Sequence, residues 1–232
     1  ALKKLDIDLI VTCAYGQIIP SVLLDTPKYK AVNVHASLLP KLRGGSPLHR
    51  CIIDGYSETG VTIMYMAPGM DDGDIITQKS IKIEDTDNVG TIHDKLSILG
   101  RDLLLETLPS IFNGTNGRTR QDENEVTFAY NIKREEEKLD FNEKAREVFN
   151  HIRGMYPFPV SYTTLNGEII KICESKIGTK TSGTVGEIIS IYDNGIGVKC
   201  SDTEIIITKL KPSGKKEMMA RDFINGRGKD KL

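Results

Sequence analysis

Ala31-Val32-Asn33-Val34-His35-Ala36-Ser37-Leu38-Leu39-Pro40 decides how the rest of the chain is read. Residues 31–34 form an apolar, partly β-branched run, as in a short buried strand. Side chains along a strand alternate with a period of two, so Asn33 and His35 project to the same side. They sit toward the carboxyl end of that strand, where open α/β sheets bind ligands in a crevice. About thirty residues later, Gly69-Met70-Asp71-Asp72-Gly73-Asp74 offers a carboxylate between glycines that permit an unusual backbone path. Read alone, this is also an ordinary acidic turn, for which Asp-Gly is a common choice. Read together with Asn33 and His35, it completes an amide, an imidazole and a carboxylate, a set able to manage a developing oxyanion and a proton.

Working outward, residues 8–14 form a second apolar, β-branched run ending at Tyr15-Gly16, and Pro20 opens a helix over residues 20–25. Residues 47–56 read as a helix after the Gly44-Gly45 turn, and residues 61–66 and 75–83 as strands. Val89 to Asn113 is the longest helix, with Ile92, Leu96, Leu99 and Leu103 on one face and Gly114 beyond its end. Thr91 with Asp94 is expected to form part of its N-terminal cap. The alternation predicts an α/β domain, Rossmann-like and doubly wound, over residues 1–114. The chain enters on a helix-to-strand transition at Ala1 and offers about half of such a sheet. The doubly wound domain is therefore expected to be incomplete, and the activity of the chain as given is left open.

Residues 115–138 change character, with few apolar side chains, an Arg118-Thr119-Arg120 cluster and a Glu135-Glu136-Glu137 run, and are expected to be a linker. Asn142 should cap a short helix carrying Ala145, Val148, Phe149 and Ile152, which Tyr156-Pro157-Phe158-Pro159 stops. From Val160 the period becomes that of strands. Asn166-Gly167 is the strongest hairpin signal in the chain, Asp193-Asn194-Gly195 marks another turn, and Ile205, Ile206 and Ile207 add a fifth strand. Residues 139–232 are thus expected to be a small β-barrel domain of the oligonucleotide-binding type, although composition alone does not separate a barrel from a sandwich.

At 232 residues with 27% charged and 39% hydrophobic side chains, the chain has the balance of an ordinary globular protein. No apolar run approaches the roughly 20 residues needed to cross a bilayer, and the start lacks the pattern of a secretory signal, so a cytoplasmic location is expected. Cys13, Cys51, Cys173 and Cys200 are far apart and read as buried thiols. His49, His93 and His151 are isolated and receive no role, and no metal is expected. Residues 1–130 are net acidic and residues 131–232 net basic. Lys211, Lys215, Lys216, Arg221, Arg227, Lys229 and Lys231 make the tail the most basic part, suited to a polyanion or simply a solvated surface.

Asn33-x-His35 leading into Ser37-Leu38-Leu39-Pro40, then Arg43-Gly44-Gly45-Ser46-Pro47, then Met70-Asp71-Asp72-Gly73-Asp74, resembles the formyltransferases that use 10-formyltetrahydrofolate, and within them the branch that formylates methionyl-tRNA. The likeness runs from about Asp8 to the end. It implies that the chain moves a formyl group from 10-formyltetrahydrofolate, its one cosubstrate, to the amino group of initiator methionyl-tRNA for translation initiation. It implies no membrane and no obligate protein partner. It also implies that Asn33, His35 and Asp71 are the catalytic residues, that Ser37, Leu38, Leu39 and Pro40 contact the folate, and that the C-terminal domain helps hold tRNA. Arg43 beside two glycines could position a phosphate or carboxylate, or be a surface arginine. Two rivals stand beside this reading: a formyltransferase acting on an amino sugar nucleotide, and a non-catalytic nucleic-acid-binding fragment.

Overall fold

The computed structural model describes residues 5–228. In its first half the apolar run around Val11 becomes strand β1 (Ile10–Cys13), and a short helix α1 (Ser21–Leu24) follows Pro20. Strand β2 (Ala31–His35) then lies parallel to β1, with Thr12 opposite Asn33. After helix α2 (Pro47–Ile53), Gly55 at φ +74° turns the chain back, and β3 (Glu58–Tyr65) and β4 (Ile75–Lys82) add on antiparallel in the order β1-β2-β3-β4. A Rossmann-like sheet is present, but the crossover geometry of a doubly wound fold is limited to the β1-β2 pair. The chain reaches β3 from β2 through residues 36–57, which include α2, and enters it running antiparallel, so no parallel crossover is made there.

Helix α3 (Val89–Asn113) buries Ile92, Leu96 and Leu103, half-buries Leu99, and ends at Gly114 with φ +68°. At Gly100 its backbone comes so close to β2 that an added Cβ would lie 3.0 Å from Val34 Cγ1. The helix begins at Val89, so Thr91 lies within its first turn rather than at the expected cap position.

The chain forms two compact units. The first holds the residues up to Cys51, Tyr56–Asp85 and Thr91–Asn131; the second holds Ile52–Gly55, Thr86–Gly90 and the residues from Ile132 on. Residues 115–131, expected within a linker, belong to the first unit. Thr119 exchanges two backbone hydrogen bonds with Ile75, and Arg43 bonds to the backbone of Thr127 and Ala129. Backbone pairing of this kind needs no apolar side chains, which is why composition hid it.

In the second unit, α4 (Ala145–Met155) packs Val148 and Ile152 into a core with Ile172, Ile205, Ile207 and Leu210. Asn142 does not cap α4. It bonds instead to Asp140, and the Lys144 N–H donates to the Glu147 carboxylate at 2.8 Å. Strands β5 (Tyr162–Leu165), β6 (Glu168–Ile177), β7 (Ile188–Tyr192), β8 (Gly195–Lys199) and β9 (Glu204–Pro212) pair in the order β5-β6-β9-β8-β7. The short β10 (Met218–Met219) joins β9, and helix α5 (Ala220–Phe223) follows. Asn166 and Gly167 both hold positive φ and join β5 to β6, the geometry that this dipeptide favours in a two-residue hairpin. Among the described residues no strand pairing joins β5 to β7, and what the structure establishes is a C-terminal sheet domain.

Three cysteines are buried as expected, but Cys13 is exposed, because alternation along β1 turns Thr12, not Cys13, inward. The Arg227 side chain, Lys229 and Lys231 of the basic tail lie outside the described residues. No described helix is long and apolar enough to cross a membrane.

Candidate active site

Asn33 and His35 leave β2 on one face. The Asn33 Oδ1 accepts a hydrogen bond from the Thr12 hydroxyl on β1 at 2.9 Å, and Nδ2 lies 3.5 Å from Asp71 Oδ1. A carboxylate only accepts, so this contact sets the amide orientation: nitrogen toward Asp71, oxygen toward Thr12. At 3.5 Å the bond to Asp71 is long, which leaves the amide hydrogens ready for a better-placed acceptor.

His35 is buried, and its Nε2 lies 3.0 Å from the Leu42 carbonyl. That oxygen also only accepts, so Nε2 carries a hydrogen and Nδ1 holds the lone pair of the neutral ring. Nδ1 is 3.6 Å from Asp71 Oδ2, so a proton arriving there meets a carboxylate. Leu42 holds φ +61°, an unusual conformation for a branched side chain, which aims its carbonyl at the ring while its N–H donates to Thr127 Oγ1 at 2.9 Å.

Asp71 sits on residues 66–74, which join β3 to β4. Its φ is +50°, and Oδ2 accepts the Gly44 N–H at 2.9 Å. Two glycines make this path possible. A Cβ on Gly73 would lie 1.9 Å from the Tyr65 carbonyl, and one on Gly44, at φ +116°, 2.9 Å from the Ala129 carbonyl.

The Asp71 loop is clamped from a distant part of the chain. Gln121 Nε2 donates to the carbonyls of both Asp71 (2.7 Å) and Gly73 (2.8 Å), and Gln121 Oε1 accepts Arg43 Nε at 3.0 Å. Arg43 in turn makes a two-pronged contact with Glu123 at 2.9 and 3.3 Å, and its guanidinium holds the Glu123 carboxyl below its ordinary value. Arg43 is therefore buried and engaged within the protein, not held ready for a substrate phosphate or carboxylate. Sequence reading missed Thr12, Leu42 and Gln121. They act through backbone groups or from far along the chain, and no local pattern marks them.

Asn33, His35 and Asp71 meet on one cavity of about 410 Å³, also lined by residues 14–19 and 44–49 and by Met64, Met66 and Met70. That lies within the range of about 300–1,000 Å³ typical of small-molecule sites. His49, given no role from sequence, is among its walls. Ser37, Leu38, Leu39 and Pro40 are not. The Ser37 hydroxyl donates to the Lys41 carbonyl at 2.6 Å, and the Leu39 N–H donates to Thr62 Oγ1 at 3.1 Å. Leu38 lies so close over Gly60 that a Cβ there would come within 2.6 Å of its Cδ2. These residues brace the turn behind His35, and the apolar wall comes from Ile18, Ile19 and the three methionines. Among the described residues no group of three His, Cys, Asp or Glu side chains is placed to hold a metal.

Comparison with known proteins places the chain. The model of the formyl transferase family matches residues 1–108, and that of the formyl transferase C-terminal domain matches residues 131–228. A methionyl-tRNA formyltransferase of Staphylococcus aureus (strain MW2) is 52% identical over 227 residues, covering 97% of this chain and 73% of that relative. Among solved structures, HypX from Aquifex aeolicus, crystallised with tetrahydrofolic acid, superposes with a TM-score of 0.71 at 17% identity over 94% of this chain and 38% of its own. A 4-N formyltransferase from Francisella tularensis gives 0.58 at 25% identity over 67% of this chain and 64% of its own. With both domain models matched and half of its residues shared with a curated relative, the chain belongs to the formyl transferase family, among the methionyl-tRNA formyltransferases.

Proposed function

We propose that the chain transfers the formyl group of 10-formyltetrahydrofolate to the amino group of methionyl-tRNA, and that Asn33, His35 and Asp71 carry the reaction. The observation that carries the assignment is the convergence of these three polar groups on one cavity. The neutral amine attacks the formyl carbon, a new carbon–nitrogen bond forms, and the carbonyl electron pair moves onto oxygen. Asn33 Nδ2 donates to that oxygen. The amine sheds a proton to His35 Nδ1, and the Asp71 carboxylate stabilises the resulting imidazolium. Collapse breaks the bond to the folate nitrogen, which departs with the proton from Nδ1. Acidic and imidazole groups end as they began.

The remaining parts of the reading belong to the same proposal. The formyltransferase domain spans residues 1–114, residues 115–138 connect it to the next domain with their first part folded back onto it, and residues 139–232 form an oligonucleotide-binding-type barrel that helps hold tRNA. Register shifts in the β6-β9 and β7-β8 pairs support the barrel, since such irregularities curl a sheet. Residues 37–40 serve the folate from behind, by fixing the turn after His35. A cytoplasmic setting follows from a charged tRNA as substrate.

The test is formyl transfer in vitro from labelled formyl folate to charged initiator tRNA, an amino sugar nucleotide, or water. Transfer to tRNA is expected to dominate. Asn33→Ala should lower kcat by about 100- to 1,000-fold, and Asp71→Asn should also slow turnover, with fold and formyl-folate binding retained. Undiminished rates in these variants would overturn the catalytic assignment, and preference for the sugar would overturn the acceptor.

A further inference from the structure

Residues 127–130 form an extended segment with its aromatic rings on one side. Phe128 and Tyr130, two positions apart, project together, with ring centroids 5.5 Å apart and planes within 14° of parallel. Ala129 between them points inward and is fully buried, whereas Phe128 and Tyr130 keep 45% and 62% of their surface exposed. Neither ring is part of the buried core. They present a flat, preassembled apolar face to solvent.

That face is tied to the catalytic centre by backbone. The Ala129 N–H donates to the Arg43 carbonyl at 2.7 Å, and the Ala129 carbonyl accepts the Ser46 N–H at 3.0 Å. Gly44, between those two anchors, is the residue whose N–H holds the Asp71 carboxylate, and Gly45 and Ser46 line the cavity. Arg50 Nε donates to the backbone carbonyl of Tyr130 at 3.3 Å, which holds a cation at the main chain of the same segment.

The acceptor of the reaction is an amino acid esterified to the last ribose of an unpaired strand. With the amine at Asn33 and Asp71, the ribose that carries it can lie no more than an ester's length from the cavity, and the unpaired bases follow along the strand. Exposed aromatic rings stack on bases of any identity, and a neighbouring cation suits the phosphates between them. We propose that Phe128 and Tyr130 are a stacking platform for an unpaired nucleobase at the acceptor end of aminoacyl-tRNA. The proposal rests on the reading of the site as a methionyl-tRNA formyltransferase, and it adds a specificity element to that reaction.

The experiment uses the full chain and methionyl-tRNA whose terminal adenine is replaced by 2-aminopurine, a base whose fluorescence is quenched by stacking. Binding of the whole tRNA is followed separately by anisotropy, and formyl-folate binding checks the fold of each variant. The unmodified chain should quench the probe. Phe128→Ala and Tyr130→Ala should lose most of the quenching and lower kcat/KM for methionyl-tRNA by about 5- to 100-fold, and Tyr130→Phe, which keeps the ring, should restore both. If the unmodified chain binds tRNA without quenching, the platform is overturned with no variant needed. Alanine variants that quench and formylate like the parent overturn it equally. If the unmodified chain neither binds nor formylates tRNA, the acceptor reading itself fails and takes the platform with it.

Discussion

Leu42 and Asp71 both hold positive φ, and both present a group to His35: a carbonyl to one ring nitrogen, a carboxylate to the other. Such conformations cost about 1–3 kcal/mol each and persist only where the surroundings impose them. For Asp71 much of that imposition falls to Gln121, whose single amide nitrogen serves two carbonyls of the loop. Gln121→Leu removes both bonds and leaves Arg43 Nε without its acceptor. The expected result is a kcat lower by about 10- to 100-fold from misplacement of the carboxylate, with little change in KM for formyl folate. Denaturant unfolding should show a loss of about 1–3 kcal/mol from the unsatisfied groups. A variant with parental kcat would remove Gln121 from the positioning of Asp71. At this scale the pair Asn33 and His35 was legible, because alternation along one strand suffices to align them. Asp71 was legible as a candidate through its glycines. Gln121 was not, since the two carbonyls it holds lie some fifty residues away and are backbone atoms.

The elements divide by the reach of their signals. The Asn166-Gly167 hairpin and the limits of α3 follow from local chemistry, and the structure has them where the residues indicate. Caps were read less well. The N-terminus of α4 is closed by Glu147 reaching back to the Lys144 N–H, so the shorter side chain of Asn142 is bypassed. Buried thiols offer a test of the second unit's sheet. Cys173 on β6 and Cys200 just after β8 are both buried, and burial pushes them up from an ordinary value near 9, to about 12 and about 11. Above pH 9 the unfolded chain loses these protons while the folded chain keeps them, so the unfolded state binds fewer protons and stability falls as pH rises. The fall should run from pH 9 to about 11 for Cys200 and about 12 for Cys173, at up to about 1.4 kcal/mol per pH unit for each thiol. Urea unfolding across that window should show the decline. The Cys173→Ala, Cys200→Ala double variant should flatten it, and an equal slope in that variant would show that other groups cause the loss.

Over the whole molecule, acidic residues prevail in the first 130 positions and basic ones after them, so the net charge of −1 conceals two halves of opposite sign. A basic half binding a polyanion releases counterions, and its affinity falls steeply with salt. Raising salt from about 50 to 200 mM should weaken binding of methionyl-tRNA at least about 10-fold, the cost of roughly two phosphate contacts, while formyl-folate binding changes far less. A flat salt response would mean that the basic half does not meet the nucleic acid. The sequence by itself determined the order of strands and helices, the shared face of Asn33 and His35, and the two charge-distinct halves, because each depends on neighbours in the chain or on composition. Only the tertiary structure decided that β3 runs antiparallel to β2, that residues 115–131 close onto the first unit, and that Asp71 is held by Gly44 and Gln121 beside His35. Those outcomes depend on backbone hydrogen bonds between distant segments, and a backbone donor is the same at nearly every residue and so leaves no mark in the sequence.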